Sequence, residues 1–270
     1  MDYNEKYYAI REVAEVTGVK PVTLRAWQRR YNLLQPQRTE KGHRLYSEQD
    51  VQTIKMIQSW LLKGVSIGKV SQLLDNQAML DLETVDVRGQ LDACAQLLDA
   101  LANLKRAKAA NIIATVMKEY PLGIVEGQFI LPIIEALDKV KGPLRSLQKG
   151  LFNHLMLSKL SSVLESENKA AQRGPCLCIS FDAYGSVLAW LWAVSWAEKG
   201  FDVTLLESVD DMSGLVSHPR LNDWQQICLF SYRGLSEPQR ESLTDMQALV
   251  GERLVLTSVL ETLINSENKE

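Results

Sequence analysis

Residues 8–46 read YAIREVAEVTGVKPVTLRAWQRRYNLLQPQRTEKGHRLY. Apolar spacing predicts a short helix over Ile10–Thr17, a tight turn at Gly18 and a second helix over Val22–Tyr31, with Pro21 suited to its first turn. A basic loop around Gly42 follows without interruption. That order describes a helix-turn-helix with a wing, in which the first helix braces the second and the second enters the major groove of duplex DNA. On the second helix Thr23, Arg25 and Gln28 or Arg29 fall on the exposed side. Leu24 and Trp27 fall roughly inward, with the backbone of a bound duplex as the other place for Trp27. Arg25, Arg29, Arg30, Arg38, Lys41 and Arg44 set six cations against one acid, Glu40, within 20 residues. Such side chains supply most of the affinity for phosphate and its salt dependence. His43 and Tyr46 add groups able to hydrogen-bond phosphates from the wing.

Charge supports the same division of labour. Residues 1–76 carry 12 Lys and Arg against 8 Asp and Glu, whereas the remainder carries 18 against 25, within a chain of net charge −3. A basic head on an acidic body fits a nucleic-acid-binding domain followed by something that avoids nucleic acid. The length of 270 residues calls for two or three domains, and 46% hydrophobic content is ample for globular cores.

Further helices are expected over Glu48–Lys63, opened by a Ser47/Asp50 capping signal and stopped by Gly64, and over Ile67–Leu74. The boundaries read from these patterns are a DNA-binding head over 1–76, a polar linker over 77–90, a four-helix bundle over 91–170 and an α/β domain over 171–270. In the bundle, Leu91, Cys94, Leu97, Leu98 and Leu101 recur at helical spacing, as do Ile112, Val116 and the run Phe129–Val140, and Gly150–Leu164 gives a last helix. The final block alternates strand, helix and strand: Cys176–Ser180, Gly185–Lys199, Val203–Ser208, Ile227–Tyr232, Glu237–Leu249 and Leu254–Ser258, with one short helical piece near 211–216. The expected class is therefore multidomain α and α/β, ending in a doubly wound, flavodoxin-like Rossmann domain truncated to about four strands. Trp190, Trp192 and Trp196 lie on a helix apolar on nearly every side, expected to be buried.

Cys94, Cys176, Cys178 and Cys228 follow no zinc-finger or disulfide spacing, and Cys176 and Cys178 share one face of a strand, where they read as small buried hydrophobes. No metal site is expected. Asp2, Glu5 and Lys6 rule against a signal peptide, and the most apolar stretch, Val187–Ala197, is too short to span a membrane, so a cytoplasmic protein is expected.

The segment TLRAWQRRYNLLQPQRTEKGHRLYSEQDV, residues 23–51, resembles the signature of the MerR family: a T-x-R-x-[WY] helix, then LL-x-P-x-R, then G-x-R-x-Y and an acidic residue. The resemblance covers about residues 8–76, and the form RAWQRRY, PQRT, GHRLY is closer still to the MlrA-like and CarH-like branch, whose head precedes a helical bundle and a cobalamin-binding-type Rossmann domain. It implies a homodimer on double-stranded, pseudo-palindromic promoter DNA, acting with RNA polymerase, and DNA contacts from Arg25, Arg29, Arg38, His43, Arg44 and Tyr46.

In cobalamin-binding members of that branch the loop after the first sheet strand carries E/D-x-H-x-x-G, whose histidine ligates cobalt. Set on Gly185, this chain reads SFDAYG, with Ser180 and Asp182 in the acidic and histidine places. A carboxylate substitutes poorly for imidazole there. In the bundle, GLFNHL keeps His154 but has Asn153 for glutamate, and Pro143 stands where a tryptophan belongs. These degenerate positions lead to the expectation of no cofactor. The leading reading is a sequence-specific MerR-type regulator, an activator by promoter distortion and independent of cobalamin. The alternative is a regulator whose bundle and body bind a different small molecule or a protein. An enzyme is not expected: a Gly-rich fingerprint is missing, and the three histidines, His43, His154 and His218, form no constellation with cysteine or aspartate.

Overall fold

The computed structural model describes residues 6–75 and 90–267, so the linker expected over 77–90 lies, apart from its last residue, outside the described residues. The chain divides into two compact units, residues 1–151 and 152–270.

The first unit opens with strand β1 (Tyr7–Ala9), helix α1 (Ile10–Thr17), helix α2 (Pro21–Tyr31), strands β2 (Gln37–Arg38) and β3 (Arg44–Ser47), and helices α3 (Glu48–Leu62) and α4 (Ile67–Asp75). The strands form an antiparallel sheet in the order β1-β3-β2, with Tyr8 opposite Tyr46 and Arg38 opposite Arg44. Gly18 ends α1 in the left-handed conformation, φ 70°, and its N–H reaches the Ala14 carbonyl at 2.8 Å. This leaves α2 free to start at Pro21, whose missing N–H costs nothing in a first turn. Ser47 caps α3 as read: its Oγ accepts from the Asp50 N–H, and the Asp50 carboxylate accepts from the Ser47 N–H. Val13, Val19, Leu24, Trp27, Ile54, Ile57 and Leu61 are fully buried and make the core.

Helices α5 (Ala93–Ala102), α6 (Arg106–Glu119), α7 (Leu122–Val125), α8 (Leu131–Lys139) and α9 (Leu144–Asn168) follow, and the division between units falls within α9. The run Phe129–Val140 is helical through Lys139 as expected, its first two residues lying in a wider helical turn, Glu126–Ile130, that joins α7 to α8 without a break. Helix α9 starts six residues before the expected Gly150, immediately after Gly142 (φ 80°) and Pro143. Gly150, read as a helix start, is accommodated inside it at the modest cost of a helical glycine.

The second unit contains β4 (Pro175–Ser180), α10 (Val187–Glu198), β5 (Asp202–Leu206), α11 (Ser213–Val216), β6 (Gln226–Phe230), α12 (Glu237–Val250), β7 (Leu254–Leu256) and α13 (Ser258–Glu267). The four strands are parallel in the order β5-β4-β6-β7, with Cys178 between Leu205 and Cys228. Alternation along the strands sends Leu177, Ile179, Ile227 and Leu229 into a cluster with Leu243 and Met246 of α12 and Leu260 of α13. Cys176, Cys178 and Cys228 therefore point to the other face, where α10 packs against β4 and β5. Helix α10 is apolar on nearly all sides because most of it is covered. Trp196 stacks edge-on against Trp192 (6.0 Å) and Phe201 (5.6 Å) and carries the Lys199 ammonium on its face. Helix α13 was not expected: Thr257 and Ser258 were read as the tail of a strand, but β7 stops at Leu256. No helix among the described residues is long and apolar enough to cross a membrane.

Nothing lies within 4 Å of a Cβ built on Gly18, so only its backbone conformation resists substitution. Gly18→Ala is expected to lower stability by about 1–2 kcal/mol, with Gly18→Asn falling between it and the parent in urea unfolding. Equal stability of all three would refute the left-handed turn.

Candidate nucleic-acid interface

Helix α2 has two working faces, separated by the 3.6-residue period. Arg25 and Arg29 are exposed and Gln28 is half-buried on one side, while Leu24, Trp27 and Tyr31 lie on the other. Asn32, at φ 53°, ends the helix and sends its N–H to the Trp27 carbonyl, releasing the chain toward the wing. The wing turns over Thr39–His43: Thr39 N–H meets His43 O at 2.9 Å, Gly42 N–H meets Thr39 O at 2.8 Å, and Gly42 takes φ 80°. This is a three-residue hairpin loop whose last position demands a left-handed residue, which glycine supplies. It exposes Arg38, Lys41 and His43. A hydrogen bond ties the wing to the helix, Arg44 Nε donating to Gln28 Oε1 at 2.6 Å. Gln28, Arg29, Arg38 and Arg44 line a concavity of about 490 Å³ between helix and wing. Among the described residues none of Arg25, Arg29, Arg38, Lys41 or Arg44 is paired with a carboxylate, so this face holds uncompensated positive charge.

The opposite face of α2 is occupied by the protein itself. The Trp27 indole N–H donates to the Glu119 backbone carbonyl at 2.7 Å. The Glu119 side chain, 5% exposed, pairs with the Arg30 guanidinium and accepts from the Tyr31 hydroxyl at 2.8 Å. Burial and that carboxylate together push the Tyr31 phenol well above its ordinary range. Nearby, the Tyr120 hydroxyl accepts from Ile67 N–H at 3.3 Å, and Gln128 Nε2 donates to the Leu61 carbonyl at 2.9 Å. The end of α6 is thus a seat for the recognition helix.

These contacts correct four expectations. Trp27 is fully buried with its only polar atom engaged, on the inner side that its spacing gave and not on the face open to a duplex. Arg30 turns to Glu119 and away from the basic face. Thr23 is 2% exposed, packed with Leu24 and Ala26 inside the head. Tyr46 is fully buried, and its hydroxyl has no hydrogen-bond partner among the described residues; burial raises its pKa, and Arg44 and Arg25 partly oppose the shift. Sequence reasoning missed Glu119. Its signal was there: an acid at the inward spacing of Ala109, Ile113, Val116 and Tyr120, a stripe that is otherwise apolar.

In the second unit, the loop after β4 is knitted by its own side chains. Asp182 Oδ1 accepts from the Tyr232 N–H at 3.1 Å and lies 3.4 Å from the Ser231 hydroxyl, and its Oδ2 lies 3.5 Å from the Ser186 hydroxyl. The Gly185 N–H donates to Glu207 at 2.9 Å, and Arg233 donates to the Phe181 carbonyl. Ser180 is buried, whereas Asn153 and His154 are exposed on α9 and Pro143 is exposed before it. A carboxylate already committed to three donors does not fit a cobalt ligand, and an acid on the loop amide does not fit an anionic tail.

The geometry of residues 8–75 is that of a helix-turn-helix with a wing, and residues 8–77 match the model of the MerR HTH family regulatory proteins. Residues 8–77 are a MerR-family DNA-binding domain. The MerR-type likeness extends along the chain. The HTH-type transcriptional regulator MlrA of Escherichia coli is 28% identical over 242 residues, covering 89% of this chain and 94% of that protein. The HTH-type transcriptional repressor CarH of Myxococcus xanthus is 34% identical over 143 residues, 52% of this chain and 46% of CarH. CarA of the same organism, also named a repressor, is 24% identical over 204 residues, 73% of this chain and 67% of CarA. These matches group the chain with MerR-type transcriptional regulators of the MlrA/CarH-like branch.

Replacing Trp27 by Phe keeps most of the buried surface but leaves the Glu119 carbonyl without its donor. A loss of about 1–3 kcal/mol in urea unfolding of the full chain is expected. A neutral substitution would show that the seat is made by packing alone.

Proposed function

We propose that this MerR-type head grips duplex promoter DNA with Arg25, Gln28 and Arg29 of α2 and with Arg38, Lys41, His43 and Arg44 of the wing. The observation that carries this reading is the segregation of charge on α2, where the only arginine withdrawn from the basic face is the one held by Glu119. Helix residues are placed to read base edges and wing residues to meet phosphate. Family likeness supports a homodimer on a pseudo-palindromic site, distorting the promoter so that RNA polymerase engages; repression by occupancy is the competing sign, and CarH and CarA bear it in their names. We read the parallel sheet of the second unit as a shortened flavodoxin-like domain whose cobalamin loop has been closed by Asp182 and Glu207, making regulation independent of cobalamin. No step of the mechanism runs through that cofactor.

In transcription with purified polymerase on a bound promoter, added protein is expected to raise transcript yield, with permanganate-reactive bases appearing between the promoter elements. A fall in yield without base exposure would replace activation by occupancy. Arg44→Ala is expected to weaken DNA binding and reduce the slope of log K against log salt by about 1; an unchanged slope would remove Arg44 from the phosphate contacts. Dialysis against adenosylcobalamin is expected to leave the protein colourless, and a stoichiometric pink complex would overturn the closed-loop reading.

A further inference from the structure

The face of the parallel sheet turned toward α10 gathers three thiols. Cys176 and Cys178 alternate on β4, and Cys228 sits beside Cys178 in register on β6. Cys176 Sγ lies 3.5 Å from Cys228 Sγ and 4.0 Å from Cys178 Sγ, and all three sulfurs fall within 4.8 Å of one another. Each residue is 0% exposed. Packing asks only for small apolar side chains here, which alanine or valine supplies equally well. Convergence of three sulfurs on one point is what metal ligation requires.

The separations identify the geometry. Sulfurs about 2.3 Å from a central ion stand about 4.0 Å apart in a trigonal plane, a spacing the cluster already approaches. Among the described residues no histidine or carboxylate joins the three to complete a tetrahedron, whereas structural zinc takes four protein ligands. Soft thiolates in an apolar, water-free setting select soft, low-valent ions, Cu(I) above all.

We propose that Cys176, Cys178 and Cys228 form a trigonal thiolate site for Cu(I) beneath α10. Loading exchanges thiol protons for the ion, with no change in the oxidation state of sulfur or copper. Because the sulfurs are fully covered, exchange requires local opening of α10 from the sheet. The site is independent of the DNA-binding reading and does not use the loop after β4.

The test is anaerobic titration of the reduced full-length protein with Cu(I) against a chromogenic Cu(I) chelator. The expected result is a single Cu(I) per chain withdrawn from the chelator, with X-ray absorption reporting three sulfurs at about 2.3 Å. Cys176→Ser and Cys228→Ser are each expected to weaken binding by about 100-fold or more, and Cys94→Ser, whose thiol instead donates to the Gln128 carbonyl, to leave it unchanged. Circular dichroism checks that the variants fold, and alanine variants stand in where serine does not. The stoichiometry and absorption spectrum of the parent protein decide the matter without any variant. Failure of the parent to compete with the chelator, two-sulfur coordination, equal loss on Cys94→Ser, or tight Zn(II) binding without Cu(I) binding would each overturn the proposal.

Discussion

The arrangement of the DNA-binding head depends on a single buried carboxylate. Glu119 closes α6 and is 4% exposed, yet it engages three residues of the recognition helix: Trp27 through its carbonyl, Arg30 and Tyr31 through its side chain. Burying an acid is tolerable only when cation and donor are both supplied, and removing one partner from such a set costs several kcal/mol. The seat therefore fixes the rotation of α2 about its axis. With Trp27 and Tyr31 committed inward, the helical period presents Arg25, Gln28 and Arg29 outward, and the Arg44–Gln28 hydrogen bond sets the wing beside them. Gln128 and Tyr120 fasten α3 and α4 to the same group of helices. Recognition helix and helical segment are thus one mechanical piece within the first unit.

The second unit follows a different constraint, the two-residue alternation of a sheet whose central strands, β4 and β6, are buried on both faces. Leucine and isoleucine on one side meet α12 and α13, and cysteines on the other lie toward α10. At the C-terminal end of β4 the chain spends its own acids on its own donors: Asp182 on Tyr232, Ser231 and Ser186, and Glu207 on Gly185. The loop after β4 is thus self-satisfied, its amide and its carboxylates committed to one another and to neighbouring donors. The polar groups most suited to a ligand lie where none is needed, and the thiols lie where the sequence suggested only packing.

Much of this was legible in the residues. The α1–turn–α2–wing order, the Ser47/Asp50 cap and four parallel strands follow from periodicity and local turn chemistry, each decided within a few residues. What escaped was decided at a distance. Strand β1 is three residues long and exists because Tyr7–Ala9 pairs with β3. The seat joins residues 92 apart in sequence, so spacing put Trp27 roughly inward without showing its partner, and Arg30 read as one more cation of the basic face. Thr23 and Tyr46 are polar residues whose burial is set by tertiary packing, and no local pattern distinguishes them from exposed Thr or Tyr. Two of the three thiols were seen to share a strand face, but the third arrives from β6, and only the sheet order brings it alongside.

The most direct test of the account is the salt dependence of DNA affinity for Arg29→Gln and Arg30→Gln, adjacent arginines assigned to opposite faces of α2. The account predicts that Arg29→Gln lowers the slope of log K against log salt by about 1, whereas Arg30→Gln lowers stability and leaves the slope unchanged. Equal loss of slope in both variants would contradict the seat formed by Glu119 and with it the orientation assigned to the recognition helix.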